Sequence, residues 1–141
     1  MARNDPYGAF NFLVEIDGVV QAGFAECSGL SSETDVIEYR EGTEPTRFRK
    51  LPGLTKYANL VLKRGLTKNR DLWNWRKRIV DGQLDRRAVS VIVLDEARVP
   101  VVRFYLSEAW PCKWTGPNLS AKASEVSIET LELTFEGLEV E

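Results

Sequence analysis

Any chemistry in this chain has to be done without histidine, because none occurs among its 141 residues. That removes the commonest general base, the Ser-His and Cys-His nucleophile pairs, and zinc sites built on imidazole. Cys27 and Cys112 lie eighty-five positions apart and form no CxxC pair, so there is neither a zinc knuckle nor a thioredoxin-type motif. A disulfide between them is formally possible, but we read them as two small, mostly buried apolar side chains. Among twenty-one acids, carboxylate pairs arise easily. Asp95-Glu96 reads as a turn, and Glu129 and Glu132 as solvated or interface charges on an alternating strand rather than as a general acid and base. No phosphate-cradling glycine loop, nucleophile elbow or EF-hand loop occurs. No metal, cofactor or catalytic residue is expected.

What remains is surface chemistry. Arg47, Arg49, Lys50 and Lys56 form a basic cluster without the aromatic ladder of a single-strand binder around it. The net charge of −2 hides three blocks: −7 over residues 1–45, +10 over 46–87 and −5 over 88–141. Such blocks suit a nucleic-acid face, complementary faces on a self-assembling subunit, or segments that the fold interleaves and neutralises. All three remain open from charge alone.

The elements that must carry these surfaces are mostly strands. At 43% apolar and 28% charged, the chain can build one core, and we read residues 1–141 as a single domain. No apolar run is long enough for a membrane span, and the polar opening Met1 to Pro6 lacks a signal peptide's apolar stretch. The expectation is a chain that does not use the general secretory route and has no direct membrane anchor. Phe10, Phe12, Val14 and Ile16 alternate, and Asp17-Gly18 supplies a hairpin turn. A run from Val19 to Gly29 follows, with Val20, Ala22 and Phe24 on one face and Gly23, Ala25 and Cys27 on the other. A polar strand is expected over 34–41, a loop from Gly42 to Gly53 containing Pro45 and Pro52, and a strand from Tyr57 to Arg64 with Ala58, Leu60 and Leu62 inward.

The period then switches. Leu72, Trp73, Trp75, Ile79 and Val80 cover one side of a helix over Asn69–Val80, capped by Thr67 or Asn69 and closed at Gly82. Leu72, Trp75 and Ile79 are its expected core contacts, with Lys77 and Arg78 outward. The tryptophans also fit base-stacking platforms, but at helical spacing we read them as the face docked on a sheet. Strands over Arg86–Asp95 and Pro100–Trp110, a loop over Pro111–Pro117 and a last strand complete the chain. In that strand Val126 and Ile128 share one phase and Leu131, Leu133 and Phe135 the other, which predicts a β-bulge near Glu129-Thr130. The sum is mainly β: an antiparallel β-sandwich or barrel of about seven strands with one flanking α-helix.

Several blocks carry a further likeness. They include Val14-Glu15-Ile16-Asp17-Gly18, Cys27-Ser28-Gly29-Leu30, Glu38-Tyr39-Arg40-Glu41-Gly42 and Lys50-Leu51-Pro52-Gly53-Leu54. Leu72-Trp73-Asn74-Trp75-Arg76, Ala109-Trp110-Pro111-Cys112-Lys113-Trp114 and Ser124 to Leu133 continue the series. In this order the chain resembles the tail-tube proteins of contractile phages, a family that also supplies inner tubes to phage-tail-like injection systems. The family commonly has a histidine where Phe135 stands, an asparagine near Ser124 and a valine near Cys27.

The resemblance implies a noncatalytic structural subunit assembled in the bacterial cytoplasm. Its hexameric rings stack into a hollow tube inside a sheath, bounded by baseplate and tail-terminator proteins, with cargo or a tape-measure protein in the lumen. Against that frame, strands 34–41 and 56–64 are expected to form a long hairpin lining the lumen, with Glu38, Arg40, Asn59 and Lys63 facing the channel. Arg47, Arg49 and Lys50 are expected to contact the neighbouring ring. The alternative is a nucleic-acid-binding β-barrel protein that uses the basic middle segment.

Overall fold

The computed structural model describes residues 5–8, 11–21, 23–43, 46–122 and 126–141. The expectations placed on Phe10, Ala22, Pro45, Ser124 and Glu125 lie outside these residues. Ten strands and one helix occur among the described residues, so the mainly β class holds with more strands than periodicity indicates.

Asp17 (φ 51°) and Gly18 (φ 78°) both take the left-handed conformation that a tight hairpin turn needs. They join β1 (Phe12–Ile16) to β2 (Val19–Gln21) in antiparallel register. Val14 and Ile16 of β1 are buried and Phe12 packs beside them, in the expected phase. The run from Val19 to Gly29 is not one strand. Gly23, at φ 86°, breaks it, and β3 (Phe24–Ser28) leaves to the opposite end of the sheet.

The strands follow the order β2-β1-β7-β8-β9-β6-β3, all antiparallel, where β6 is Leu60–Gly65, β7 is Arg87–Leu94, β8 is Pro100–Thr115 and β9 is Ile128–Thr134. A last strand, β10 (Gly137–Val140), adds to the free side of β8. β8 is the corner of this architecture. Its first half pairs with β7 and β10, and its second half, from Trp110, pairs with β9.

The two halves face each other across one core. Val14, Val89, Val91 and Leu106 from one side meet Leu60, Leu62, Leu131 and Leu133 from the other. Each fully buried aliphatic side chain contributes about 1.5–3 kcal/mol.

β8 overturns the expected loop at Pro111–Pro117, because the strand runs on to Thr115. Proline lacks the N–H of a ladder and is tolerated at irregularities, and the register shifts between Pro111 and Lys113. A second shift lies opposite β7 near Glu108, whose φ is 54°. The bulge expected at Glu129-Thr130 is absent. β9 pairs with β6 without interruption from Ile128↔Gly65 to Leu133↔Leu60. Glu129 therefore keeps the inward phase of Leu131 and Leu133 and is 3% exposed, so it is not the solvated charge expected of it.

Helix α1 (Asp71–Val80) begins two residues later than expected. The Asn69 Oδ1 accepts the Asp71 N–H at 2.8 Å, and the Thr67 Oγ1 accepts the Asn69 N–H at 3.2 Å. At the other end Gly82 (φ 84°) donates to the Ile79 carbonyl and Gln83 to the Arg78 carbonyl, closing a Schellman motif. Leu72 and Trp75 are buried and Ile79 is half-buried. The Trp75 Nε1 donates to the Asp85 carbonyl at 2.7 Å, and Arg87 lies 4.8 Å over its ring. Lys77 and Arg78 point outward and pair with Asp81 and Asp85.

β4 (Glu33–Tyr39) and β5 (Arg49–Lys56) form a separate two-stranded ribbon, paired with each other and with no other strand among the described residues. The expected loop from Gly42 to Gly53 is thus half strand. Pro52 sits at the register shift between Thr34 and Val36, which is what lets a proline stay in the ladder. The expected pairing of 34–41 with 56–64 does not occur. Residues 57–59 are a connector, Ala58 is exposed rather than inward, and β6 belongs to the body.

Candidate functional site

The ribbon is the part of the molecule that its own chain does not complete. Apart from the half-buried Asp35 and Gly53, every residue of β4 and β5 is exposed. They include Val36 at 63% and Leu54 at 76%, together with Ile37, Tyr39 and Leu51, and Phe48 just before β5. An isolated two-stranded hairpin is marginal in water, and apolar surface left exposed at this density marks an interaction site. Eight residues of β5 reach about 26 Å at strand rise.

Register divides the outer ribbon into two faces. Ile37↔Leu51 and Tyr39↔Arg49 share one face, and Val36↔Pro52 and Glu38↔Lys50 share the other. Lys50, expected at the ring junction, and Glu38, expected in the channel, are therefore direct cross-strand neighbours. Arg47 lies exposed in the connection between the strands, and Arg40 just past β4. The Arg49 Nη1 stands 3.7 Å from Glu41.

Asn59 and Lys63 are not on the ribbon. The Asn59 Nδ2 donates to the Glu132 Oε1 at 2.9 Å, and the Lys63 Nζ stands 3.6 Å from the Glu26 Oε2 across β3 and β6. The four residues expected in the channel thus come from two separate elements.

The basic middle segment is largely interleaved with acids from outside it. Lys56 pairs with Asp35, Lys63 with Glu26, Arg86 with Glu136, Arg87 with Asp17, and Arg64 with Glu129. Of the three readings that charge blocks allow, local neutralisation describes much of this segment, and Arg47, Arg49 and Lys50 lie close together on the outer ribbon.

Sequence reasoning missed the buried pair. The Arg64 Nε donates to the Glu129 Oε1 at 2.5 Å, the Trp114 Nε1 donates to the Glu129 Oε2 at 3.3 Å, and Arg64 lies 5.7 Å over the Phe24 ring. Trp73 of α1 meets Trp114 at 4.9 Å, tying the helix to this end of the core. The signal was present: Arg64 continues the inward phase of Leu60 and Leu62, and Glu129 that of Leu131 and Leu133.

Both cysteines are free and half-buried. Burial pushes the Cys27 thiol up to about 11. The Cys112 thiol is also raised, by burial and then by the nearby Glu132 carboxylate. Among the described residues no group of three or more His, Cys, Asp or Glu is placed to hold a metal ion, and no helix is long and apolar enough to cross a membrane.

The described residues thus form a two-layer antiparallel sheet with one flanking helix and an outlying ribbon. The chain is similar to a chain of the anti-feeding prophage baseplate solved by cryo-EM with six-fold symmetry, at 28% identity and a TM-score of 0.88, covering 99% of this chain and 97% of that one. It shares its fold with a chain of the sheath–tube complex of the extracellular contractile injection system PVC, at 22% identity and a TM-score of 0.88, covering 96% and 91% of the two chains. The fold extends to Hcp1 from Flavobacterium johnsoniae, at 14% identity and a TM-score of 0.58, covering 93% and 94%. Among curated proteins nothing matches. The family model for the T4-like virus tail tube protein gp19 matches residues 8–139, and the chain belongs to that family of structural tail tube proteins.

Proposed function

We propose that this chain, as a single domain over residues 1–141, is the repeating subunit of the inner tube of a contractile tail or phage-tail-like injection system. Copies close into hexameric rings, the rings stack into a hollow tube, and DNA or protein cargo passes along the lumen. The subunit works without catalysis or cofactor. A sheath surrounds the tube, baseplate and terminator proteins bound it, and a tape-measure protein or cargo occupies its lumen. It assembles in the bacterial cytoplasm without a membrane anchor of its own. Family membership supports this reading, as do the baseplate and sheath–tube settings of the similar structures.

The single observation that carries it is the free-standing ribbon. Its two faces differ: Glu38 lies opposite Lys50 on one, beside Val36 and Pro52, and Ile37, Tyr39 and Leu51 lie on the other with Arg49. A face on which opposite charges adjoin suits a channel along which cargo slides, and the more apolar face needs a neighbouring subunit. Glu38 and Arg40 on the ribbon, with Asn59 and Lys63 on the body, remain the proposed lumen set. Arg47, Arg49 and Lys50 remain proposed to contact a neighbouring copy, with Lys50 opposite Glu38 at the border of the two sets. The nucleic-acid alternative has less support, because much of the basic segment is already paired within the chain.

Electron microscopy of the purified protein over a range of concentration and salt tests the proposal. Rings with a central channel, or stacks of them, are expected. A protein that stays monomeric at every condition, or binds DNA as a monomer with a steep salt dependence, would overturn it.

A further inference from the structure

The buried guanidinium of Arg64 is satisfied on one side only. Its Nε donates to the Glu129 Oε1, whereas Nη2 is buried without a hydrogen-bond partner among the described residues. A buried donor left unmade costs free energy, so what borders it decides what could complete it. Arg64 is 3% exposed and forms a wall of a depression of about 350 Å³, whose other walls are Gly23, Gly65, Thr67 and Asn69.

The polar side chains here offer donors. The Thr67 Oγ1 accepts the Asn69 N–H and the Asn69 Oδ1 accepts the Asp71 N–H, so both oxygens are engaged with backbone at the start of α1. The Thr67 hydroxyl proton and the Asn69 amide protons are left to donate, and both side chains are exposed. Gly23 has open space where a Cβ would stand, so no side chain crowds its edge of the depression. The ten-residue α1 begins at this edge and adds the positive end of its dipole. The opposing charge is Asp71 in its first turn. Glu129 and Arg70 border a different depression, beside Trp73 and Trp114.

We infer that the depression beside Arg64 binds one small oxyanion, a carboxylate or an inorganic phosphate, whose oxygens accept from Arg64, Thr67 and Asn69. Three donor groups from β6 and the approach to α1 meet there, and the strongest of them is a charged donor that its own chain leaves open. Nη2 itself is closed to solvent, so seating an oxygen on it requires a small outward movement of the wall. Glu129 already balances the Arg64 charge, which makes this a weak, millimolar site. The inference stands apart from the tube reading, since it concerns the single subunit.

Two-dimensional amide NMR of the protein, at a concentration where sizing shows a monomer, tests it. Sodium phosphate and sodium acetate are titrated separately against sodium chloride at constant ionic strength. Saturable shifts are expected for the Gly23, Gly65, Thr67 and Asn69 amides and for the Arg64 Nε–H. The tighter of the two titrations tells a phosphate site from a carboxylate site.

Thr67→Asp keeps an acceptor for the Asn69 N–H but brings a resident carboxylate to the wall, and is expected to weaken binding by about tenfold or more. Arg64→Met/Glu129→Leu, with circular dichroism as the check on folding, is expected to abolish it. Shifts that stay linear and equal those in chloride, or saturable binding that Thr67→Asp leaves unchanged, would overturn the site.

Discussion

Replacing Glu129 with glutamine keeps the side chain's size and an acceptor for the Trp114 N–H, but deletes the charge that Arg64 faces. Both side chains are 4% exposed, and the pair is joined at 2.5 Å, so solvent cannot take over the lost partner. The Arg64 Nη2 has no hydrogen-bond partner among the described residues, so the Nε bond to Glu129 is the guanidinium's recorded side-chain tie. Stranding a buried guanidinium costs about 3–5 kcal/mol. For a chain of this size each kcal/mol moves the midpoint by about 3–4 °C, so a fall of about 10–20 °C is expected.

Removing both charges together, as Arg64→Met/Glu129→Leu, deletes the desolvation penalty with the attraction. It is expected to come within about 1 kcal/mol of the wild type or exceed it. Urea unfolding followed by tryptophan fluorescence, at a protein concentration where sizing shows a monomer, reads the monomer's stability without the contribution of association. The loss on Glu129→Gln should persist at high salt, because buried pairs are weakly screened. A cost below about 1 kcal/mol for Glu129→Gln, or a double variant that costs the sum of its singles, would refute burial of the pair as the source of the effect.

Trp75→Ala should cost about 3–5 kcal/mol in the same assay, since the ring is buried and its N–H is held by the Asp85 carbonyl; unchanged melting would show that the helix is not docked through it. Gly29→Ala should destabilise by more than about 1 kcal/mol, because its φ is 99° and an added Cβ would strike the Asn59 carbonyl oxygen; a soluble variant with wild-type urea midpoint would contradict that approach. Asp85 is held below the ordinary aspartate range chiefly by its hydrogen bond from Arg87, with the nearby Arg87 and Arg78 charges lowering it further against burial. Its folded form binds the proton more weakly than the unfolded chain, so its stabilisation is present above about pH 4 and fades as pH falls through the depressed value. Asp85→Asn should therefore flatten part of the acid limb of a melting-temperature profile, and a limb as steep as the wild type's would count against the Arg87 bond.

Local features were legible wherever neighbours in sequence supply both the pattern and the partner. Asp17-Gly18 needed only positive φ, β7 only its β-branched run, and α1 only a 3.6-residue apolar period closed by Gly82. The proposed assembly surface was legible in part. The cluster at Arg47, Arg49 and Lys50 was visible as composition, and the family blocks pointed to a tube, but the faces were not. Which face a ribbon residue takes depends on register between β4 and β5, and that register is set by a pairing across a connection of nine residues and a shift beside Pro52.

The sequence by itself therefore determined the mainly β class, the turn, the capped helix and the absence of histidine chemistry, because each follows from single residues or short-range periodicity. Only the tertiary structure decided that prolines 52 and 111 stay in strands, that the Val19–Gly29 run divides between opposite ends of the sheet, and that Glu129 turns inward. A strand's neighbours, and hence the partner that makes a buried charge tolerable or a proline harmless, come from distant parts of the chain. Alternation along one strand cannot report whether the residue opposite an inward glutamate is an arginine.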